Sequence, residues 1–137
     1  MTTSEKQLAD RLKGVPLFSH TSARQRKSLA KLGRVLTWKP GDELITEGAK
    51  AAALFMLLDG TVEVTRGGEA IARVGAGEFV GEMALILDEP RNATVTAVTS
   101  TSAFALGRPA LSAALRSDPS MALPMLTAMA KRQQLMQ

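Results

Sequence analysis

Gly77-Glu78-Phe79-Val80-Gly81-Glu82-Met83-Ala84-Leu85, followed by Asp88-Glu89-Pro90-Arg91-Asn92-Ala93-Thr94, is the stretch on which the reading of this chain turns. Two glycines lead into an apolar run of helical length, an acid stands at its mouth, and an arginine returns after the turn Asp88-Glu89-Pro90. Gly81 lets the backbone turn tightly and come close to a ligand. A helix running from Gly81 to Leu87 would present N–H groups with partial positive charge, which suits an anion. Arg91 adds a forked, permanently charged donor that matches phosphate geometry. Glu82 would repel a phosphate, so its carboxylate is matched with a neutral hydroxyl of the same ligand. An anion and a hydroxyl at fixed spacing point to a small nucleotide. The same residues could also serve as a structural ion pair between Glu82 and Arg91.

The whole chain bounds what that stretch can belong to. Its 137 residues predict a single domain over 1–137 with a core of its own. Hydrophobic residues at 45% and charged residues at 22% place it with soluble globular proteins. There is no cysteine and His20 is the sole histidine, which leaves few ligands for a transition metal and no base for a serine nucleophile. The expectation is therefore a non-enzyme with no metal and no cofactor. Charges run through the first thirty residues and no apolar span reaches membrane length, so a cytoplasmic protein without a membrane segment is predicted. The net charge of +4 raises the question of nucleic acid. Arg24, Lys27, Lys31 and Arg34 fall at helical spacing, but no aromatic is interleaved with them for base stacking, and they read as a solvated helix face. Nucleic acid is not expected to be a partner of this chain alone.

Taken in order, Ser4 to Lys13 predicts a short helix with Leu8 and Leu12 on one side, ended by Gly14. Val15-Pro16-Leu17-Phe18 reads as an apolar turn, and Thr21 or Ser22 as the cap of a second helix with Leu29 and Leu32 facing inward. From Val35 onward glycine recurs at short intervals between runs of strand type: Arg34 to Trp38, Leu54 to Leu58, Thr61 to Arg66 and Ala70 to Val74. That pattern indicates a sandwich or barrel. Val62 and Val64 should point to the core, Leu54 to Leu58 should be buried on both faces, and Gly67-Gly68 should make a two-residue hairpin turn. Strands are also predicted over Ala93 to Val98 and Ala103 to Leu106. A helix over Pro109 to Leu115 follows, then a cap at Asp118-Pro119. Met121, Met125 and Met129 form a stripe, with Leu126, Leu135 and Met136 nearby, that reads as core, as a homodimer seam along the last helix, or as a lid. Pro124 predicts a kink or a restart at Leu123.

Gly81-Glu82-Met83-Ala84-Leu85 with Pro90-Arg91-Asn92-Ala93-Thr94-Val95 resembles the phosphate-binding cassette of the cyclic-nucleotide-binding domain family, known from cAMP-responsive transcription factors, protein kinase A regulatory subunits and nucleotide-gated channels. Val15-Pro16-Leu17-Phe18, Pro40-Gly41-Asp42, Glu47-Gly48 and Asp59-Gly60 are similar to the family pattern as well, and the likeness runs from about Leu8 to Leu135. The resemblance implies a mainly β fold, an eight-stranded β-roll (a double-stranded β-helix, jelly-roll-like) with helices at both ends. The helical entry would be 1–33, the roll 34–107 with its cassette at 79–94, and the C-terminal helices 108–137.

The resemblance assigns Arg91 to the cyclic phosphate and Glu82 to the ribose 2′-hydroxyl. It completes the ligand site with Phe79, Val80, Gly81, Met83, Ala84, Asn92, Ala93 and Thr94, backbone N–H groups near Gly81 to Met83 and at Ala93 among them. Asn92 departs from the alanine, serine or threonine common after the arginine, and its amide can serve a phosphate oxygen or a purine edge. Met129, Lys131 and Arg132 are the candidates for a lid. The function implied is a sensor for cAMP or cGMP that signals through movement of the C-terminal helix, its effector left open. Two alternatives share the fold: the sensor part of a cAMP-receptor-type transcription regulator without its DNA-binding part, and a ligand-free dimerisation module.

Overall fold

Short β-branched runs between glycines become strands because each glycine supplies the left-handed or tight turn that its neighbours resist. The computed structural model describes residues 5–14, 18, 21–81 and 87–135. Its chain divides into two units, one of residues 34–108 and one joining residues 1–33 to 109–137.

The first unit is the β-roll. Its strands are β1 (Arg34–Trp38), β2 (Glu43–Ile45), β3 (Ala53–Asp59), β4 (Thr61–Arg66), β5 (Glu69–Gly75), β6 (Phe79–Val80), β7 (Thr94–Ala97) and β8 (Thr101–Gly107). They form two four-stranded sheets, ordered β1-β8-β3-β6 and β2-β7-β4-β5, with every pairing antiparallel. This is the mainly β class expected from the sequence, with helices before and after it in the chain. Ile45, Phe55, Leu57, Val62, Val80 and Val95 belong to its core cluster, and Trp38 meets Phe55 edge-on with ring centroids 5.6 Å apart. Leu54 to Leu58 are all buried, as a strand covered on both faces requires. Val62 is fully buried, whereas Val64 is only partly so and packs at the cluster's margin. Gly67 and Gly68 both have positive φ, 58° and 82°, which is the primed turn that matches strand twist. At the end of this unit Arg108 pairs with Asp88 at 2.6 Å.

Two strands were not legible. Glu43–Ile45 is three residues long, too short for alternation to register, and it pairs with β7 through a register shift. Phe79–Val80 looks like the start of a helical apolar run, yet it pairs with Met56 and Phe55 of β3 and is buried. The pairing is fixed by the turn before it, where Gly77, at φ 90°, donates to the Leu57 carbonyl at 2.8 Å.

The second unit is helical: α1 (Glu5–Leu12), α2 (Ala23–Leu32), α3 (Arg108–Ser117, of which all but Arg108 lies in this unit), a 3-10 turn (Pro119–Met121) and α4 (Ala122–Leu135). Ser22, not Thr21, caps α2, in a reciprocal box with Gln25. Thr21 instead donates its hydroxyl to the Phe18 carbonyl at 2.6 Å. Leu29 is buried as expected, but Leu32 is 42% exposed, because the helix ends there and its last turn is not covered. Arg34 is not on the basic face either, since it opens β1 and the stripe is reduced to Arg24, Lys27 and Lys31, all exposed. Pro124 falls in the first turn of α4, where an N–H has no helical partner to lose, so the restart comes at Ala122 after the 3-10 turn. Ser4, Val15 to Leu17, His20 and Met136 lie outside the described residues.

Asp118 ties this unit together. It accepts from the Ser120 hydroxyl and, at 2.7 Å, from Gln25 Nε2 of α2. These bonds, led by that of Ser120, hold its carboxyl below the usual carboxylate range. A carboxyl lowered by folding stabilises above its ordinary pKa and loses that contribution as pH falls through the folded value, so this tie weakens in acid.

Leu57 is fully buried within the roll's core cluster, and its truncation to alanine should reduce unfolding free energy by about 2–5 kcal/mol in urea. Ile71→Ala, at a side chain 48% exposed on β5, should change it by less than about 0.5 kcal/mol. Equal losses at the two positions would contradict the assignment of the core.

Candidate functional site

The segment that carries the candidate residues is built by backbone pairing before any side chain takes part. The turn after β2 lies against the residues around Arg91: Gly48 donates to the Arg91 carbonyl and Arg91 donates to that of Ala49, both at 2.8 Å, and Lys50 pairs with Pro90 in an isolated bridge. Arg91 is thereby pinned on both sides of its own α-carbon. Its side chain is buried, 6% exposed, which a permanently charged group tolerates only when hydrogen-bonded. Nη1 donates to the Gly81 carbonyl at 2.7 Å, and Nη2 donates to that of Ala53. A guanidinium carries five N–H groups in a fixed fork, so one such side chain can serve carbonyls and a phosphate together.

Gly81 is required here for two separate reasons. Its φ is +86°, and a Cβ added to it would lie 2.7 Å from Arg91 Nη1 and 2.9 Å from Ile45 Cδ1. The arginine therefore occupies the space that any other residue at position 81 would fill.

The roll thus brings Phe79, Val80 and Gly81 of the segment after β5 to one place with Arg91, through the Arg91–Gly81 bond. Phe79 and Val80 are buried, Val80 within the core cluster. Ala93 is buried and Asn92 exposed. Thr94 is partly buried and accepts from the Glu47 N–H at 3.0 Å. Glu82, Met83 and Ala84, with residues 82–86 of the helix expected over Gly81 to Leu87 and any pairing of Glu82 with Arg91, lie outside the described residues.

The lid candidates belong to the helical unit. Met129 is partly buried and Lys131 exposed, both on α4, and the side chain of Arg132 lies outside what is described. Met121 and Met125 are buried, so that part of the stripe is core. Among the described residues no group of acids and histidines could hold a metal, and no helix is long and apolar enough to cross a membrane.

Sequence reasoning missed Ala53, whose carbonyl holds Arg91, and Arg66, whose Nε donates to the Asn92 carbonyl at 3.0 Å. Neither had a signal of its own, because both contacts run to or from the main chain across long sequence separations. Glu47-Gly48 did stand out for its likeness to the family pattern, and Glu47 Oε1 accepts from the Gly67 N–H at 3.0 Å.

Comparison with known proteins adds a separate line of observation. The family model described as the cyclic nucleotide-binding domain matches residues 35–118. The cAMP-dependent protein kinase regulatory subunit of Yarrowia lipolytica is 38% identical over 99 residues, covering 71% of this chain and 26% of that protein. The cGMP-dependent protein kinase of Toxoplasma gondii is 33% identical over 97 residues, covering 71% of this chain and 10% of that protein. The chain thus spans about a quarter or less of the length of these two relatives. A solved structure, the N-terminal domain of a transcriptional regulator from Streptomyces coelicolor A3(2), superposes with a TM-score of 0.79 at 32% identity, covering 91% of this chain and 93% of that one.

Replacing Gly81 by alanine should destabilise the protein by about 1–3 kcal/mol, since it forces both an unfavourable φ and a displacement of Arg91. Chemical denaturation reads this directly. An unchanged midpoint would mean that the contact between Gly81 and Arg91 is not a constraint.

Proposed function

The chain belongs to the cyclic nucleotide-binding domain family, and from that premise we propose that it binds a cyclic purine nucleotide, cAMP in preference to cGMP, as a regulatory sensor. The observation that carries the proposal is the buried Arg91, held against the glycine that no other residue could replace without moving it. A buried cation beside main-chain carbonyls is suited to a cyclic phosphate, whose single negative charge it neutralises through charge-assisted hydrogen bonds. Glu82 takes the ribose 2′-hydroxyl, and Phe79, Val80, Gly81, Met83, Ala84, Asn92, Ala93 and Thr94 complete the site. The names of the two kinases, one cAMP-dependent and one cGMP-dependent, support the ligand class.

The nucleotide is bound and released unchanged in this reading, without a cofactor, and the protein works in the cytoplasm. The helical unit and the roll act as one functional domain. Ligand signals by shifting the population of the C-terminal helix α4, which carries Met129, Lys131 and Arg132; this requires that the nucleotide bind the two states with different affinity. A homodimer along α4 belongs to the same proposal, with Leu123 and Leu126 exposed there at 71% and 57%, and sedimentation equilibrium checks it. A second reading, favoured by the likeness to the N-terminal domain of a transcriptional regulator, gives the sensor a transcriptional output.

Calorimetric titration with cAMP and cGMP should give saturable binding to the wild type and binding weaker by about a hundredfold in Arg91→Ala, from the loss of two charge-assisted bonds. Absence of binding by the wild type would leave the ligand-free dimerisation module as the better reading.

A further inference from the structure

Two consecutive peptide units beside the Arg91 side chain are held from outside. The carbonyl of Arg91 accepts from the Gly48 N–H at 2.8 Å, and the carbonyl of Asn92 accepts from Arg66 Nε at 3.0 Å. In a planar trans peptide the C=O and the N–H of the next residue point in opposite directions. Anchoring these two carbonyls therefore aims the N–H groups of Asn92 and Ala93 away from their anchors. The first anchor is backbone, but the second is a single exposed side chain reaching across from the end of β4.

That side chain is itself braced. Arg66 stands directly before the Gly67-Gly68 turn, and the Gly67 N–H is held by Glu47 Oε1 at 3.0 Å. Glu47 in turn donates its own N–H to Thr94 Oγ1 at 3.0 Å. The hairpin tip, the turn after β2 and residues 91–94 thus form a closed clasp: the tip is tied to the turn through Gly67 and Glu47 and to residues 91–94 through Arg66 and Asn92, while the turn holds residues 91–94 through the bonds of Glu47, Gly48 and Ala49.

We propose that Arg66 is a positioning residue of the nucleotide site: by holding the Asn92 carbonyl it fixes the 92–93 peptide and so aims the Ala93 N–H at the cyclic phosphate. The proposal rests on the reading of Arg91 and its neighbours as a cyclic-phosphate site, and it gives the β4–β5 hairpin a role in ligand affinity. Arg66 acts through the main chain and not by touching the nucleotide. Loss of this one bond frees the peptide to rotate, and the N–H then has to be ordered when the ligand binds.

The test compares wild type, Arg66→Ala and Arg66→Lys by calorimetry with cAMP and by amide NMR without it. Arg66→Ala should bind cAMP about tenfold more weakly, as expected for one charge-assisted hydrogen bond, with no matching fall in melting temperature. Arg66→Lys, which keeps an N–H donor and the charge, should recover most of the affinity. The loss should persist in about 1 M salt, where the Debye length is about 3 Å and long-range attraction of the anion is screened. In the ligand-free protein the Ala93 amide signal should move in Arg66→Ala. Equal binding by Arg66→Ala and wild type, a deficit that vanishes in high salt, or an unmoved Ala93 signal would each overturn the proposal while leaving the sensor reading intact. A wild type that binds neither cAMP nor cGMP would overturn both.

Discussion

The burial of one guanidinium is the constraint on which the rest of the roll depends. Arg91 is charged at any pH the protein meets, so it can stay 6% exposed only if the surrounding backbone supplies acceptors. The acceptors come from Gly81 and Ala53, residues 10 and 38 positions away, and both must be placed by sheet pairing first. β3 fixes Ala53, its contact with β6 brings the chain to Gly81, and the turn at Gly48 and Ala49 fixes Arg91 itself. The requirement for glycine at 81 follows from the same geometry. A side chain there would compete for the volume that the arginine fills.

This arrangement builds the surroundings of Arg91 mostly from main chain. The described hydrogen-bonding groups around Arg91 are placed by a strand or a turn, so little rotamer freedom would remain in them to be lost on binding a ligand. The Arg91 side chain is held in the same way, since it donates to the main-chain carbonyls of Gly81 and Ala53. Arg66 extends the same logic to the neighbouring peptide, from a hairpin whose turn is set by two glycines at positive φ.

Much of this was legible in the sequence, and the reasons are local. Glycine spacing and β-branched runs exposed six of the strands, the Gly67-Gly68 hairpin followed from turn chemistry, and Arg91 and Gly81, singled out together in the sequence, are in contact. Family resemblance supplied the roll, which periodicity alone would have left open between sandwich and barrel. What stayed hidden was set by tertiary contact. β2 and β6 are too short to carry a pattern, Leu32 is left 42% exposed at the end of its helix, and Arg34 looks helical until its pairing with Ala105 makes it a strand residue. The carbonyl partners of Arg91 leave no trace in residue type, because every residue has a carbonyl.

The most direct measurement is a crystal structure of this protein grown with cAMP. The guanidinium of Arg91 should lie within about 3 Å of the exocyclic phosphate oxygens, as charge-assisted hydrogen bonds require, with Glu82 on the ribose 2′-hydroxyl. A nucleotide bound elsewhere, with Arg91 contacting only the carbonyls of Gly81 and Ala53, would contradict the central claim that this buried arginine is the phosphate receptor.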